Sequence, residues 1–164
     1  MLRIGLICDT HGLLRPEAEA FLDGCDHVIH GGDIGGPSIL ERLAAIAPVT
    51  AVRGNNDKGD WARSIAETRM VKFGNVGVYT IHDLARTDID PRSAGASVVV
   101  SGHSHRPRIL EKDGVLYVNP GSAGRRRFKL PISIGELLID GTAIVARLAK
   151  LAPIGDMAAF VRDA

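Results

Sequence analysis

The chain has 164 residues, which suits one domain. A chain of this length can bury roughly 70% of its extended surface, so its core needs no disulfide bonds or structural metal ions. Its composition, 45% hydrophobic and 24% charged, is ordinary for a globular protein, and a formal net charge of +1 excludes a global attraction to nucleic acid or membranes. Only two cysteines occur, and no apolar run reaches the roughly 18 residues of a membrane span. We therefore expect one domain over residues 1–164 in the reducing cytoplasm, with homo-oligomerisation left open.

The first half of the chain alternates predicted strands with predicted helices. Three short apolar segments are typical of buried parallel strands: Leu2–Cys8, Asp26–His30 and Val49–Arg53. Between them, Pro16 favours a helix start and Gly24 a helix end. Ser38 and Glu41 have the spacing of a capping box, which predicts a second helix, and a short third helix is expected around Trp61. These units predict a parallel sheet.

The second half indicates hairpins, because short turns rich in Gly, Asn and Asp join three pairs of strand-like segments. The pairs are Thr68–Phe73 with Val76–Ile81, Arg108–Glu111 with Val115–Val118, and Ile132–Ile139 with Ala143–Leu148. This half is therefore expected to be mostly antiparallel. We expect the whole chain to form an α/β fold of two packed mixed β-sheets flanked by helices. Residues 151–164 suggest a weak last helix without an assigned role.

Side chains that suit metal ions follow the predicted strands at several separate places. The candidates are Asp9, His11, Asp33, Asn55, His82, His103 and His105. Taken alone, Asp9 would also suit a helix cap, Asn55 a turn, and the histidines of Ser97–His105 a solvated surface. Ligands of open α/β sheets gather beyond the carboxyl ends of the strands, so the coincidence of these residues favours one shared site.

The chemistry of these side chains indicates the kind of metal. Oxygen and imidazole ligands together suit manganese, iron, zinc, cobalt or nickel, and the lack of thiolates argues against a structural zinc site. Seven ligands exceed the capacity of one four-coordinate ion, whereas two ions that share a carboxylate would use them all. A metal pair about 3.5 to 4 Å apart is a common device for displacement at phosphorus. We therefore expect two divalent ions, with manganese preferred.

In chain order, the candidate blocks resemble those of a known family. They are Asp9-x-His11, Gly32-Asp33, Gly54-Asn55-x-Asp57, His82 and Gly102-His103-Ser104-His105. Their order is similar to the five blocks of the calcineurin-like metallophosphoesterases. The small size, with Asn119-Pro120-Gly121-Ser122 after the last block, resembles the compact bacterial and archaeal phosphodiesterase branch of that family. The resemblance covers residues 1–150 and implies a metallophosphoesterase β-sandwich.

Carried over residue by residue, the resemblance implies two sets of ligands. One metal would be held by Asp9, His11, Asp33 and His105, and the other by Asn55, His82 and His103, with Asp33 bridging. The implied reaction is in-line attack on a small phosphoester by a hydroxide that bridges both metals. In this mechanism the histidines are ligands and not general bases. His27 and His30 lie outside the blocks and are expected to be structural.

Two positions depart from the wider family. The residue after Asn55 is often a histidine proposed to protonate the leaving group, whereas this chain has Asn56, whose amide cannot act as an acid near neutral pH. We predict that Asn56 instead donates a hydrogen bond to a phosphoryl oxygen, and that Asp57 belongs to the catalytic site with it. The chain also has His82-Asp83-Leu84 where the small enzymes commonly have His-Gly-His.

Arg125 begins the run Arg125–Arg127 and is predicted to clamp the substrate phosphate, unless the run is only a solvated surface. Two other functions would use the same residues or the same fold. A phosphomonoesterase would need the same metal centre, and a protein-binding scaffold would share the fold, as one retromer subunit does. The ligand positions of such scaffolds are typically degraded, and all seven are intact here, so the sequence favours an enzyme and, within it, a phosphodiesterase.

Overall fold

The computed structural model describes residues 1–127, 129–152 and 159–160 of the chain. The strands, in chain order, are β1 (Leu2–Ile7), β2 (His27–His30), β3 (Val49–Ala51), β4 (Thr68–Phe73), β5 (Val76–Ile81), β6 (Val98–Val100), β7 (Arg108–Lys112), β8 (Val115–Asn119), β9 (Ser133–Asp140), β10 (Ala143–Lys150) and β11 (Ala159–Phe160). The helices are α1 (Pro16–Leu22), α2 (Pro37–Ala44) and α3 (Asp60–Arg63), and a 3₁₀ turn covers Leu84–Arg86.

The described strands form two mixed sheets, as predicted. The first sheet has the order β11-β10-β9-β1-β2-β3, in which β1, β2 and β3 are parallel and β9 runs antiparallel to β1. The second has the order β4-β5-β6-β8-β7, with β5, β6 and β8 parallel at its centre. All three predicted hairpins are present: β4 with β5, β7 with β8, and β9 with β10.

The second half of the chain is mostly antiparallel, as predicted, but the centre of the second sheet adds a parallel part. There, β6 pairs in parallel with β5 on one side and with β8 on the other. The hairpin of β7 and β8 enters the sheet as a unit, with β8 beside β6 and β7 at the edge. Because β5 and β6 are parallel, the loops that follow them leave the sheet at the same edge, where the carboxyl ends of the strands lie. His82 and the histidines after β6 are therefore neighbours.

The inner faces of the two sheets pack against each other. Their buried side chains include Leu6, Ile29, Val78, Val100 and Val118. Full burial of each such side chain is worth about 1.5–3 kcal/mol. A shift of register would move these residues out of the core, so the packing fixes which strand ends meet.

The helices pack on the other face of the first sheet, where Leu22 of α1 and Leu43 of α2 are buried in one cluster with residues of β1 and β2. As predicted, α1 begins at Pro16, and Gly24, with a φ of +73°, follows its end. The capping box is wrong: α2 begins at Pro37, so Ser38 lies inside the first turn, and among the described residues no side chain caps this helix. Proline in the first turn already removes one unpaired N–H.

The C-terminal segment differs from its prediction where it is described. Most of the helix predicted for residues 151–164 lies outside the described residues, but Ala159–Phe160 forms a short strand that pairs with β10. The helix therefore does not extend through these two residues, because the free edge of β10 offers main-chain hydrogen bonds to an extended segment. Among the described helices, none is long and apolar enough to cross a lipid bilayer.

Candidate metal centre

The seven predicted ligands meet at the carboxyl ends of the strands. Asp9 and His11 follow β1, Asp33 follows β2, Asn55 follows β3, His82 follows β5, and His103 and His105 follow β6. Short contacts join them into one cluster. We call these seven residues the metal centre. The structure thus brings together every residue that the sequence predicts as a ligand.

The backbone of the metal centre has an unusual conformation. Within the described part of the chain, six residues other than glycine have a positive φ, and five of them are predicted ligands: Asp9, His11, Asp33, His103 and His105. This left-handed conformation costs about 1–2 kcal/mol for a residue with a side chain. Strain of this kind concentrates at functional sites, where the surrounding structure holds it in place.

The first ligand group comprises Asp9, His11 and His105, whose potential ligand atoms lie within 4.8 Å of one another. His105 Nε2 is 3.2 Å from Asp9 Oδ1, and His11 Nε2 is 3.9 Å from the same oxygen. Asp9 Oδ1, His11 Nε2 and His105 Nδ1 are buried, yet they have no hydrogen-bond partner among the described residues. Unpaired buried polar atoms are costly, so this donor set fits a bound cation.

The second ligand group comprises Asn55, His82 and His103. His82 Nε2 and His103 Nδ1 each lie 3.1 Å from Asn55 Oδ1, so two imidazoles converge on one amide oxygen. His82 Nδ1 donates to the carbonyl oxygen of Gly31 at 2.8 Å, which leaves Nε2 as the ligand atom. A ring nitrogen held by the backbone, with the other nitrogen turned to the site, is typical of metal-binding histidines.

Asp33 lies between the two groups. Its Oδ2 is 3.8 Å from His11 Nε2 and 3.4 Å from His82 Nε2, so it approaches one histidine of each group. Asp9 also forms a cluster of potential ligand atoms with Asp33 and His82, again within 4.8 Å. A carboxylate that reaches both groups fits a pair of cations.

The charges of the metal centre favour an ionised Asp33. Burial raises the pKa of this carboxyl, but His82 and the N–H groups of Asn56 outweigh burial and hold that pKa well below its usual range. Burial likewise lowers the pKa of His82, but the charge of Asp33 more than offsets it, so that pKa is raised. Burial lowers the pKa of His11, which favours the neutral imidazole that a metal needs.

Two glycines allow the ligand loops to approach each other. A Cβ atom on Gly54 would collide with Asp33 Oδ1, and one on Gly102 would lie 2.8 Å from Asp9 Oδ2. A larger residue at either position would displace a carboxylate of the centre. The glycines before Asn55 and His103 are therefore required by the packing of the site itself.

Asn56 and Asp57 hold the ligand loops in place. Asn56 donates to Asp33 Oδ1 from its backbone N at 2.8 Å and to Oδ2 from Nδ2 at 2.6 Å. Asp57 is buried and accepts hydrogen bonds from the backbone N–H groups of Gly35 and Gly54, at 2.9 and 2.8 Å. These contacts position Asp33 and join the loops after β2 and β3. The catalytic roles of both residues stay predictions.

The three arginines of the run after β8 have different surroundings. All are exposed, and Arg126 lines a separate cleft with two lysines. Burial is the main cause that lowers the pKa of His11, and the charge of Arg127 lowers that pKa further. Arg127 therefore favours the neutral form of this one ligand. The clamp predicted at Arg125 stays a prediction, and Arg127 is a second candidate that the sequence did not single out.

Two residues that brace the ligand loops were missed as functional residues in the sequence. Asn119 Nδ2 donates to the carbonyl oxygen of Gly102 at 2.8 Å and to Ser104 Oγ at 3.1 Å, within the loop after β6. Ser122 Oγ donates to the carbonyl oxygen of Asp9 at 3.0 Å. The signal for them was the Asn-Pro-Gly-Ser sequence, but its partners lie far away along the chain.

His30 links two ligand loops from behind, in line with its predicted structural role. Its Nε2 donates to Thr10 Oγ1 at 2.9 Å, because that hydroxyl gives its own proton to the carbonyl oxygen of Ile34. Its Nδ1 accepts from the N–H of Gly32 at 3.1 Å. Burial lowers the pKa of His30 to about 4, so the ring is neutral at pH 7. The neutral ring connects the residues beside Asp9 and Asp33.

The family is shown by residues 2–141, which match the calcineurin-like phosphoesterase superfamily domain. The chain belongs to this superfamily and is a metallophosphoesterase, a hydrolase of phosphoester bonds. It is 34% identical over 164 residues to a probable metallophosphoesterase of Methanothermobacter thermautotrophicus, covering 90% of this chain and 91% of that relative. It is 29% identical over 138 residues to a phosphodiesterase of Methanocaldococcus jannaschii, covering 73% and 83% of the two chains.

A solved structure shares the whole fold. Vps29 of Chaetomium thermophilum superimposes with a TM-score of 0.82, covering 98% of this chain and 96% of that chain, at 18% identity. At this identity the likeness concerns the fold alone. The two packed mixed sheets are thus those of the calcineurin-like metallophosphoesterases, as predicted.

Proposed function

We propose that the protein is a phosphodiesterase that hydrolyses a small phosphodiester with two divalent metal ions. The observation that carries this proposal is the convergence of two ligand groups on Asp33, one carboxylate within 4 Å of a histidine from each. Membership of the superfamily supplies phosphoester hydrolysis. The similarity to an archaeal phosphodiesterase supports a diester as the substrate.

The donor set fits the proposed metals. The first ligand group with Asp33 would hold one ion, and the second group with Asp33 would hold the other. Carboxylate, amide and imidazole ligands without thiolates suit manganese, and nickel, iron, zinc and cobalt are the alternatives. When bound, a metal pair supplies a hydroxide nucleophile at neutral pH and offsets the negative charge of the phosphoryl oxygens.

The exposure of the ligands sets the direction from which substrate approaches. Asp9 and Asp33 are almost fully buried, whereas Asn55 is exposed and the side chain of His103 is 47% exposed. The diester would therefore reach the centre over the second ligand group. Asn56 Nδ2 carries two hydrogens and uses one of them for Asp33, so the other can be donated to a phosphoryl oxygen.

The proposal is tested by measuring metal content and turnover on the same preparation. Protein stripped with a chelator should lose hydrolysis of bis(4-nitrophenyl) phosphate and regain it when Mn²⁺ is restored, with two ions per chain at full activity. Undiminished turnover in metal-free protein would contradict the proposal, and full activity at one ion per chain would contradict the metal pair.

Two alternatives make different predictions for this preparation. A phosphomonoesterase would use the same centre and would hydrolyse 4-nitrophenyl phosphate faster than the diester. A protein-binding scaffold is suggested by the structural likeness to Vps29, and it would bind metal without turning over either ester. The complete ligand set favours the enzyme. We also propose a cytoplasmic location, since Cys8 and Cys25 are free thiols, and gel filtration would establish whether the chain forms a homo-oligomer.

A further inference from the structure

A cleft of about 450 Å³ lies beside the metal centre, on the outer face of the second sheet. At one end it is lined by His103 of the second ligand group and by Asp83. From there it extends along β7 and β8. The cleft thus begins where the substrate is proposed to bind and leads away from the reacting phosphorus.

The residues that line the cleft follow from the alternation of side chains along β7. Arg108, Leu110 and Lys112 alternate with Ile109, which packs into the core between the sheets. The three therefore share the opposite, outward face of this edge strand. Leu110 pairs with Tyr117 of β8, so an aromatic ring lies at the middle of the same wall.

The charge of the cleft is strongly positive. Arg106, Arg108 and Lys112 all line it, and none of them forms an ion pair with any residue that the structure describes. Among the described lining residues, Asp83 is the one carboxylate, and it sits at the end near His103. Unpaired guanidinium and ammonium groups on one wall are suited to bind a phosphate by charge-assisted hydrogen bonds. We call this space the cationic cleft.

A second cleft next to the metal centre shows that such a charge is not general. It has a volume of about 690 Å³ and contains Arg53 and Arg86 together with Glu67 and Asp88. Arg53 is already paired with Glu67 at 2.8 Å. Asp57 and Asp83 line it as well, so its carboxylates outnumber its arginines by four to two. The cationic cleft is therefore the side of the centre that attracts an additional anion.

The cationic cleft also has an apolar part. Leu84 and Leu110 are each 40% exposed, and the half-buried Tyr117 lines the cleft with them. Exposed leucines beside an aromatic ring form a surface on which a flat ring can stack. The cleft therefore combines a stacking surface with unpaired cations.

We propose that the cationic cleft binds one arm of the phosphodiester, and that this arm carries a flat apolar ring and a second phosphate group. This inference rests on the proposed function, because it places the scissile phosphate at the metal centre. The ring would lie against Leu110 and Tyr117, and the second phosphate would bind Arg106, Arg108 and Lys112. The preferred substrate is then a diester with an additional anionic group.

The test compares two dinucleotides that differ by one phosphate, thymidylyl-thymidine with and without a 5′-terminal phosphate. For the metal-loaded protein, kcat/KM should be roughly 10- to 100-fold higher with the terminal phosphate, mainly through a lower KM. The double variant Arg108→Gln and Lys112→Gln should bring this ratio close to one. As a matched control, Lys72→Gln removes an exposed cation from β4, at the opposite edge of the same sheet, and should keep the wild-type ratio.

Equal kcat/KM ratios in the wild type and the double variant would contradict the proposed binding role of the cationic cleft. The proposed phosphodiesterase activity would still stand, provided that bis(4-nitrophenyl) phosphate is hydrolysed. If no diester is hydrolysed, the proposed function fails and the cleft is tested by binding alone. Calorimetric titration in EDTA should then show tighter binding of the phosphorylated dinucleotide to the wild type than to the double variant. Equal dissociation constants for the wild type and the double variant would also contradict the proposed binding role of the cationic cleft.

Discussion

The two ligand groups of the metal centre differ in how firmly the protein holds them. Asp9 and His105 are almost fully buried, and the loop of Asp9 is hydrogen-bonded to the loop after β2 and to Ser122. Asn55 and His103 are exposed, and the contact between them is made by the Asn55 side chain itself. Preorganised ligands lose less freedom on binding, so the first group should bind its ion more tightly. We therefore propose that the first group is the preorganised half of the centre and that the substrate reaches the exposed second group.

The largest expected effect is that of Asp33→Ala, which removes the residue that both groups share. Metal content should fall from two ions per chain towards zero, and turnover should fall by about 10³-fold or more, because the stabilisation supplied by both ions is lost. His82→Ala is the matched control, since it weakens the second group alone and should leave about one ion. Asp33→Ala protein that keeps two ions would remove Asp33 from the bridging position.

A second prediction concerns the leaving group on the side of the second ligand group. Asn56 has no proton to give to the leaving group, and a poor leaving group such as an alkoxide needs that proton most. Aryl diesters should therefore be cleaved about 10²- to 10⁴-fold faster than alkyl diesters, which is the usual contribution of a general acid. Asn56→His should reduce this dependence, while it also removes the hydrogen bond from the Asn56 side chain to Asp33. Single-turnover rates on a series of diesters check the prediction. Wild-type rates that vary little along the series would show that departure of the alkoxide is assisted by another group.

The difference in firmness between the groups can be measured by metal affinity. Stepwise titration with a chelator should remove the two ions separately, the weaker one first. His103→Ala should abolish the weak step and leave the tight one, whereas His105→Ala should reduce the affinity of the tight step by at least about 100-fold. If His103→Ala instead removes the tight step, the second group binds its ion more tightly than the first.

The stability of the folded protein should depend on pH through His30, which links the ligand loops from behind. Its pKa is about 4 in the folded protein and about 6.5 when unfolded, so below pH 6.5 the unfolded chain binds a proton that the folded chain does not. Stability should therefore fall by about 3 kcal/mol as the pH drops from 6.5 to 4. Urea unfolding of metal-free protein measures this loss. His30→Gln should reduce it, and an unchanged pH dependence in that variant would assign the loss to other groups.

The smallest expected effect is that of the arginine run. Arg127→Ala should raise KM for a simple diester by about 3- to 10-fold with metal content unchanged, as suits an exposed charge near His11. Arg125→Ala serves as the comparison, because the sequence predicts the clamp there. A larger rise in KM for Arg125→Ala would restore that prediction, and no rise in either variant would make the run a solvated surface.

Much of the fold and nearly all of the metal centre could be predicted, because their signals are local. An apolar segment that ends in Asp9-x-His11 predicts both a buried strand and the ligands at its end, without knowledge of any distant contact. The hairpin of β4 and β5 follows in the same way from Gly74-Asn75. The parallel position of β6 could not be predicted in this way, because it depends on the pairing of β6 with β8, and no local signal in the sequence indicates that pairing.

The parts of the site that escaped prediction are held by contacts between distant segments. Asn119 and Gly102 are 17 residues apart, and Ser122 and Asp9 are 113 residues apart, so no spacing in the sequence connects them. The sequence predicts that Asn56 faces the substrate, but one of its amide hydrogens is used by Asp33, 23 residues earlier. Such hydrogen bonds become visible only when the strands are assembled.

The left-handed backbone at five ligands affects which substitutions the fold accepts at these positions. Glycine adopts that conformation freely, so a variant such as His11→Gly would relieve about 1–2 kcal/mol of strain, less about 0.5–1 kcal/mol for the added freedom of the unfolded chain. At His11, loss of the ligand would therefore be no burden to folding and would even assist it. Asp33 differs, because its carboxylate also accepts two hydrogen bonds from Asn56, which a glycine there would lose.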